Sequence, residues 1–141
     1  MSIAIVDASV AVKWVLRESD SDIARTIAAG DMRLLAPDLI ILELANALRK
    51  AVSAQSITRD YAVQSLAGIR RVFDPLITIA DFIDEAISLA IDLKHPIYDC
   101  VYLVTSRRLG APLVTADTTF AAKLAGTPDA ANVILLADWK T

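Results

Sequence analysis

Cysteine is nearly absent from this chain: Cys100 stands alone, so no internal disulfide can form, and nothing in the thiol content speaks against a reducing cytoplasm. Histidine is as scarce, with His95 the sole copy. One histidine and one cysteine cannot build a structural zinc site. Hydrophobic residues make up 55% of the 141 positions, yet charges interrupt them throughout, and no run approaches the ~18 uncharged apolar residues that suggest a membrane span. Met1 to Asp7 lacks the basic stretch that opens a secretory signal. Repeats, low-complexity tracts and linkers are missing as well. The expectation is a cytoplasmic chain with no membrane association, folded as a single domain over residues 1–141 and long enough to bury a core unaided. Its high apolar content points to surface that a partner covers.

Excess positive charge is missing too. The formal net charge is -3, which argues against binding nucleic acid by bulk electrostatics alone. It leaves room for an enzyme whose acids are gathered in a metal site. The bases do form local pairs, Arg49-Lys50, Arg70-Arg71 and Arg107-Arg108, for which a solvated helix surface is the usual setting.

What is present is an alternation of short apolar runs and helical stretches. Ile3 to Val6 reads as a strand buried on both faces, followed after Asp7 by a helical stretch through Leu16. Ser19 and Asp22 resemble a capping box for a helix to Ala29, closed by Gly30. Arg33 to Ala36 reads as a second strand, Pro37-Asp38 opens a strongly apolar helix to about Val52, and Thr58 starts another to about Phe73. Pro75 to Ile79 reads as a third strand, rich in β-branched residues. Asp81 is expected to cap a helix to about Lys94, and a further helix runs from about Tyr98 to Leu109, stopped by Gly110. Pro112 to Thr115 is a fourth strand, Asp117 caps a short helix to Leu124, and Asn132 to Leu135 is a fifth. Such alternation predicts a three-layer α/β/α sandwich with a central parallel sheet of about five strands. Ligands in such sheets bind beyond the carboxyl ends of the strands, and that is where Asp7, Thr115 and Asp117 fall.

Asp7, Asp99 and Asp117 each stand near a helix start, where Asp is a favoured cap. Glu43 is different. It lies inside a helix with Leu39, Ile40, Leu44 and Ala47 around it and no base three or four positions away, so no local ion pair supports it. An ionised carboxylate drawn toward the interior without a partner costs several kcal/mol or shifts its pKa, and a metal ligand fits better. Asp99 is likewise flanked by apolar residues on both sides. Together Asp7, Glu43, Asp99 and Asp117 are hard oxygen donors suited to Mg²⁺, with Mn²⁺ as a substitute. His95, beside Pro96, reads as a turn residue, and Cys100 as a small core residue with no reliable base to activate it.

Four segments carry a family resemblance. Val6-Asp7-Ala8-Ser9-Val10, Glu43-Leu44-Ala45-Asn46-Ala47-Leu48, Tyr98-Asp99-Cys100-Val101-Tyr102-Leu103 and Leu109-Gly110-Ala111-Pro112-Leu113-Val114-Thr115-Ala116-Asp117 resemble the signature regions of PIN domains, above all the VapC-type toxins. Each motif is weak alone; four in this order span nearly the whole chain. The resemblance implies a PIN-like fold and an acidic quartet of Asp7, Glu43, Asp99 and Asp117, supported by Asn46, Thr115 and Ser9. It also implies a Mg²⁺-dependent endoribonuclease that leaves a 5′-phosphate, a homodimer, and inhibition by a cognate antitoxin protein. Bound divalent ions would activate water for in-line attack on a phosphodiester with no protein nucleophile. Other chemistries fit less well. A phosphoacceptor receiver domain wants a second acid directly after the first strand's acid, where Ala8 stands, and an aspartyl phosphatase wants one where Ser9 stands. A non-catalytic PIN-like scaffold that binds RNA or protein is the remaining alternative, and the complete quartet argues against it.

Overall fold

A computed structural model describes residues 2–140. Ile3–Val6 forms β1 (its last three residues fully buried), and Asp7 leads into the short helix α1, Ala8–Ala11, which tightens into a 3-10 turn at Val12–Trp14. There follow α2 (Ser21–Ala29), β2 (Arg33–Leu35), α3 (Leu39–Ser53), α4 (Arg59–Val72), α5 (Ile83–Leu93), α6 (Ile97–Leu109), β3 (Leu113–Thr115), α7 (Thr118–Leu124) and β4 (Val133–Leu135). The strands pair in the order β2-β1-β3-β4, all parallel. From β1 the chain moves to one side for β2 and returns to the other side for β3, so the reversal of strand order lies between β1 and β3. Their register is Ile5 with Leu113 and Val6 with Val114, and the Asp7 amide donates to Val114 O at 3.0 Å. The carboxyl ends of these two neighbours therefore open side by side at the switch point, where this class of sheet takes its ligands.

Several local signals act as the sequence predicts. Thr58 accepts a hydrogen bond from Tyr61 N at the start of α4, Asp117 accepts one from Phe120 N at the start of α7, and Gly110 ends α6 at φ 60, a left-handed conformation that glycine adopts without penalty. Three local details differ. The Pro75–Ile79 stretch contributes only one parallel bridge, Ile77 to Pro37, so the sheet has four strands with a rudimentary fifth at its edge. Pro75 has no amide to donate, and prolines are confined to such margins. No capping box forms from Ser19 and Asp22: the Ser19 carbonyl accepts from the buried Lys13 ammonium at 2.8 Å, and Asp22 pairs with Arg17 at 3.0 Å. Asp81 does not cap α5, which begins after Phe82. Burying that ring beneath the Arg108 guanidinium, 5.0 Å from its centroid, sets the helix start instead.

The core runs through both helical layers. α6 is buried along Cys100–Ser106 and packs against β1, β3 and α5, while α3 contributes Ile40, Leu44 and Leu48, one apolar stripe at helical spacing. Apolar side chains also remain outside: Leu42 on α3 and Val63 on α4 are exposed, as are Ile83, Ile87 and Ile91 along α5. No helix among the described residues is long and apolar enough to cross a membrane. The two leucines of α3 offer a direct test of packing. Leu44→Ala, at a site with no exposure, is expected to destabilise the fold by about 2–5 kcal/mol, and Leu42→Ala, 71% exposed, by less than about 0.5 kcal/mol. Urea unfolding of both variants measures the difference, and equal losses would refute this assignment of the buried face.

Candidate metal centre

Asp7 is fully buried yet caps nothing: no amide of α1 bonds its side chain. Its Oδ2 instead accepts from Ser9 Oγ at 2.5 Å and from Thr115 Oγ1 at 2.9 Å. Each hydroxyl is held in turn by a backbone donor, Ser9 Oγ by Ala116 N at 2.9 Å and Thr115 Oγ1 by Asp117 N at 3.1 Å. A closed set of hydrogen bonds thus ties the end of β1 to the end of β3, and both hydroxyl protons are committed to one carboxylate oxygen. Glu43, half-buried on α3, accepts from the Tyr102 hydroxyl at 2.7 Å. Asp99 sits in the first turn of α6 and meets His95 Nε2 through Oδ2 at 2.6 Å. Asp117 caps α7 through Oδ1.

These carboxylates sense one another. Burial pushes the Asp7 carboxyl up to about 7 from 3.8; the charges of Asp99 and Glu43 add to this, and the Ser9 and Thr115 hydrogen bonds oppose it. Glu43 is raised by burial and by Asp99, against the pull of the Tyr102 hydroxyl. Asp99 is raised by burial and by Asp117, against the hydrogen bond from His95. Among the described residues no lysine or arginine is paired with these acids. Lys13 is turned to Glu18 at 3.4 Å, and Arg107 to Asp129 and Glu85. Buried like charges with no lysine or arginine beside them are the situation a divalent ion resolves, and carboxylate oxygens are the donors that Mg²⁺ or Mn²⁺ takes. The residues present therefore fit such a metal.

The predicted residues do not all converge equally. Among the described residues, the trio whose ligand atoms lie within 4.8 Å of one another is His95, Asp99 and Asp117; Asp7 and Glu43 join Asp99 through its field rather than through that trio. Ser9 and Thr115 belong to the network around Asp7. Asn46 does not: it is exposed on α3, and its Oδ1 accepts from Arg49 Nε at 3.2 Å. Two residues are closer to the acids than sequence reasoning placed them. In the sequence Tyr102 reads as one of the apolar residues flanking Asp99, and His95 as a turn residue. His95 does occupy the turn, but its ring is almost fully buried against Asp99. Helical spacing carried the signal, since His95, Asp99 and Tyr102 are separated by four and three positions and share one face. Cys100 is buried, and burial pushes its thiol up to about 11, which makes it inert as a nucleophile.

Comparison with known proteins supplies the family. The family model of the PIN domain matches residues 4–124. A curated relative, Ribonuclease VapC3 of Pyrobaculum aerophilum, is 27% identical over 121 residues, covering 84% of this chain and 92% of its own length. Among solved structures, PAE2754 from Pyrobaculum aerophilum superposes with a TM-score of 0.69 at 23% identity, over 96% of this chain and 90% of that one. A toxin-antitoxin complex from Klebsiella pneumoniae gives 0.64 at 18% identity, over 94% and 97%. VapC20 of Mycobacterium tuberculosis, described as a sarcin-ricin loop cleaving toxin, gives 0.68 at 17% identity, over 84% and 93%. At these identities the structural likenesses establish the fold.

The raised Asp7 carboxyl has a measurable consequence in metal-free protein. Its folded value, about 7, exceeds the reference 3.8, so the fold opposes its ionisation. That penalty is absent below about pH 4, grows as pH rises toward about 7, and then levels off. Asp7→Asn removes it, so the variant's stability relative to wild type is expected to rise between pH 4 and 7, by at most about 4 kcal/mol at about 1.4 kcal/mol per pKa unit. Glu43→Gln should move in the same direction by less, since its carboxyl is partly exposed and Gln can still accept from Tyr102. Thermal unfolding at pH 4 and 7 in the presence of chelator tests both. A relative stability that does not change with pH would show that the carboxylates are not in conflict.

Proposed function

We propose that this chain, which belongs to the PIN domain family, is a Mg²⁺-dependent endoribonuclease and the toxin of a toxin–antitoxin pair, with Asp7, Glu43, Asp99 and Asp117 as its metal-binding and catalytic acids. The observation that carries the reading is the gathering of these carboxylates at the switch point of the sheet, with no lysine or arginine paired to them among the described residues. The relative named Ribonuclease VapC3 supports the activity, and the neighbour described as cutting the sarcin-ricin loop supports RNA as the substrate class.

Asp7, Glu43, Asp99 and Asp117 would hold the metal, which when bound supplies Lewis-acid polarisation of a phosphodiester and a water acidic enough to attack it. The chain's own residues prepare the place. Ser9 and Thr115 fix Asp7 Oδ2 and leave Oδ1 without a side-chain hydrogen bond among the described residues. The Tyr102 hydroxyl fixes one oxygen of Glu43 in the same way. Pre-set carboxylates need no reorganisation when charge develops during the reaction. Cys100, buried with its thiol pushed up to about 11, does not compete as a nucleophile, which favours direct hydrolysis by water; the 5′-phosphate product rests on the family resemblance. For the substrate backbone, Arg107 and Arg108 are engaged by Asp129 and Glu85, whereas Arg49 and Lys50 have no ion pair among the described residues and follow Glu43 along α3. These two are the bases we assign to phosphate contact.

Partners follow from surface that the fold leaves uncovered. A groove of about 930 Å³ runs between the turn after α1 and the α3–α4 pair, lined by Val12, Val15, Leu16, Ala47, Ala51 and Ile57, with Arg17, Glu18 and Lys50 at its margin. An apolar antitoxin segment suits it, and the toxin-antitoxin complex among the structural neighbours favours that kind of partner. The exposed isoleucines of α5 and the exposed Leu42 and Val63 favour a homodimer.

Two outcomes are expected. RNA cleavage requires Mg²⁺, accepts Mn²⁺, and falls about 100-fold or more in Asp99→Asn, since losing one charged ligand forfeits several kcal/mol of charge stabilisation. Chelator-treated protein, freed of contaminating nucleases, that still cuts at full rate would sink the metal reading. Sedimentation at micromolar concentration is expected to give a dimer, and Ile87→Lys to weaken it; a wild-type monomer would remove the dimer.

A further inference from the structure

The sole histidine of the chain is placed where neither the family quartet nor the sequence reading gives it a task. His95 lies in the turn between α5 and α6, and its side chain is only 7% exposed. Three contacts fix the ring. The His95 amide donates to Ala90 O at 3.1 Å, the imidazole packs on Phe120 at 4.9 Å between centroids, and Nε2 meets Asp99 Oδ2 at 2.6 Å. The residue before it is secured to α7 as well, because Lys123 Nζ donates to Lys94 O at 2.8 Å. Phe120 belongs to the same short helix that Asp117 caps. His95 is thus wedged between the elements that carry two of the acids.

Its other nitrogen decides its role. Nδ1 is buried with no hydrogen-bond partner. A buried N–H without an acceptor costs more than a buried lone pair without a donor, because an oriented proton loses its full hydration. The single proton of a neutral ring therefore belongs on Nε2, where Asp99 accepts it. The same orphan argues against direct ligation: a histidine that binds metal through Nε2 carries its proton on Nδ1 and hands it to an acceptor, and no carboxylate or carbonyl among the described residues is there.

Resting on the metal reading above, we infer that His95 is a positioning residue: by donating Nε2–H to Asp99 Oδ2 it fixes the carboxylate plane and leaves Oδ1 to bind the cation, without occupying a coordination position itself. It does for Asp99 what Ser9 and Thr115 do for Asp7 and Tyr102 does for Glu43. Each of these acids has one oxygen held by a donor side chain.

Three variants and one spectrum test this. His95→Leu fills the same apolar space against Phe120 without a donor and is expected to weaken Mn²⁺ binding, read by electron paramagnetic resonance, by about 10–100-fold. His95→Gln carries an amide donor at the position of Nε2 and should restore affinity to within about 3-fold; His95→Asn is too short to reach and should behave like Leu. Unchanged Mn²⁺ affinity in His95→Leu, or no rescue by Gln, overturns the inference. Because His95 is the only histidine, its two ring nitrogens give an unambiguous ¹⁵N spectrum. Nε2 is expected to carry a hydrogen-bonded proton, shifted upfield in Asp99→Ala, and to keep it when Mg²⁺ is added. Loss of that proton on adding Mg²⁺ would make His95 a ligand and end the proposal. If wild-type protein binds no Mn²⁺ at all, the metal reading fails, and the metal-free spectrum still decides whether His95 holds Asp99.

Discussion

The parallel pairing of β1 with β3 is the contact on which the rest of the molecule turns. These strands are far apart in sequence and are brought together only after the chain has built β2 and the helices α2 to α6. Their register sets Val6 beside Val114 and so brings Asp7 and Thr115 together at the next step, where one hydroxyl proton spans the gap. A slip of one residue would send Asp7 to the opposite face of the sheet and separate it from Asp99 and Glu43. Burial of Ala4, Ile5, Val6, Leu113 and Val114, none more than 1% exposed, is what forbids that slip. Core packing and site geometry are decided by the same few pairings.

Against this ordered frame stands an electrostatic conflict. Carboxylates are gathered where water is scarce, and among the described residues the side chains that meet them are the hydroxyls of Ser9, Thr115 and Tyr102 and the imidazole of His95. Neutral donors orient a carboxylate and moderate its desolvation without cancelling its charge. An arginine in their place would form a stable ion pair and remove the negative field that attracts a cation. Two bases nearby in sequence are instead occupied elsewhere, Lys13 by Glu18 and Arg107 by Asp129. Local stability is given up in exchange for a strong, unneutralised field, a pattern typical of functional sites.

Much of this was legible in the residues because the relevant signals are local. β1 and β3 announce themselves as short apolar runs ending in polar residues, and the start of α7 follows from a capping Asp at position 117. Glu43 betrayed itself by lacking any base at helical spacing. The misjudged places are those where a distant group wins. Ser19 and Asp22 have the spacing of a capping box, but a buried lysine claimed the Ser19 carbonyl and an arginine claimed Asp22. The Pro75–Ile79 segment has strand composition, yet finds only the margin of β2 to pair with. His95 and Tyr102 escaped notice for a related reason. A histidine beside a proline and an aromatic inside an apolar helix look structural in isolation, and only the folded face of α6 reveals that both reach acids. Asn46 is the converse case, a polar residue in a signature segment whose side chain the helix turns outward to Arg49.

The burial of α6 from Cys100 to Ser106 bears on how such a protein can be switched off. Asp99 precedes that stretch and Tyr102 lies within it, so shifting either would mean repacking the interior, and close-packed interiors respond by holding or by melting rather than by bending. A control that works by distorting the acids would have to loosen the whole molecule. Control by obstruction faces no such barrier: a visitor at the mouth of the sheet can block entry, or offer a cation of its own to the exposed field, while every buried contact stays as it was. On this architecture, obstruction at the mouth of the sheet and the packing of the buried acids are independent of each other.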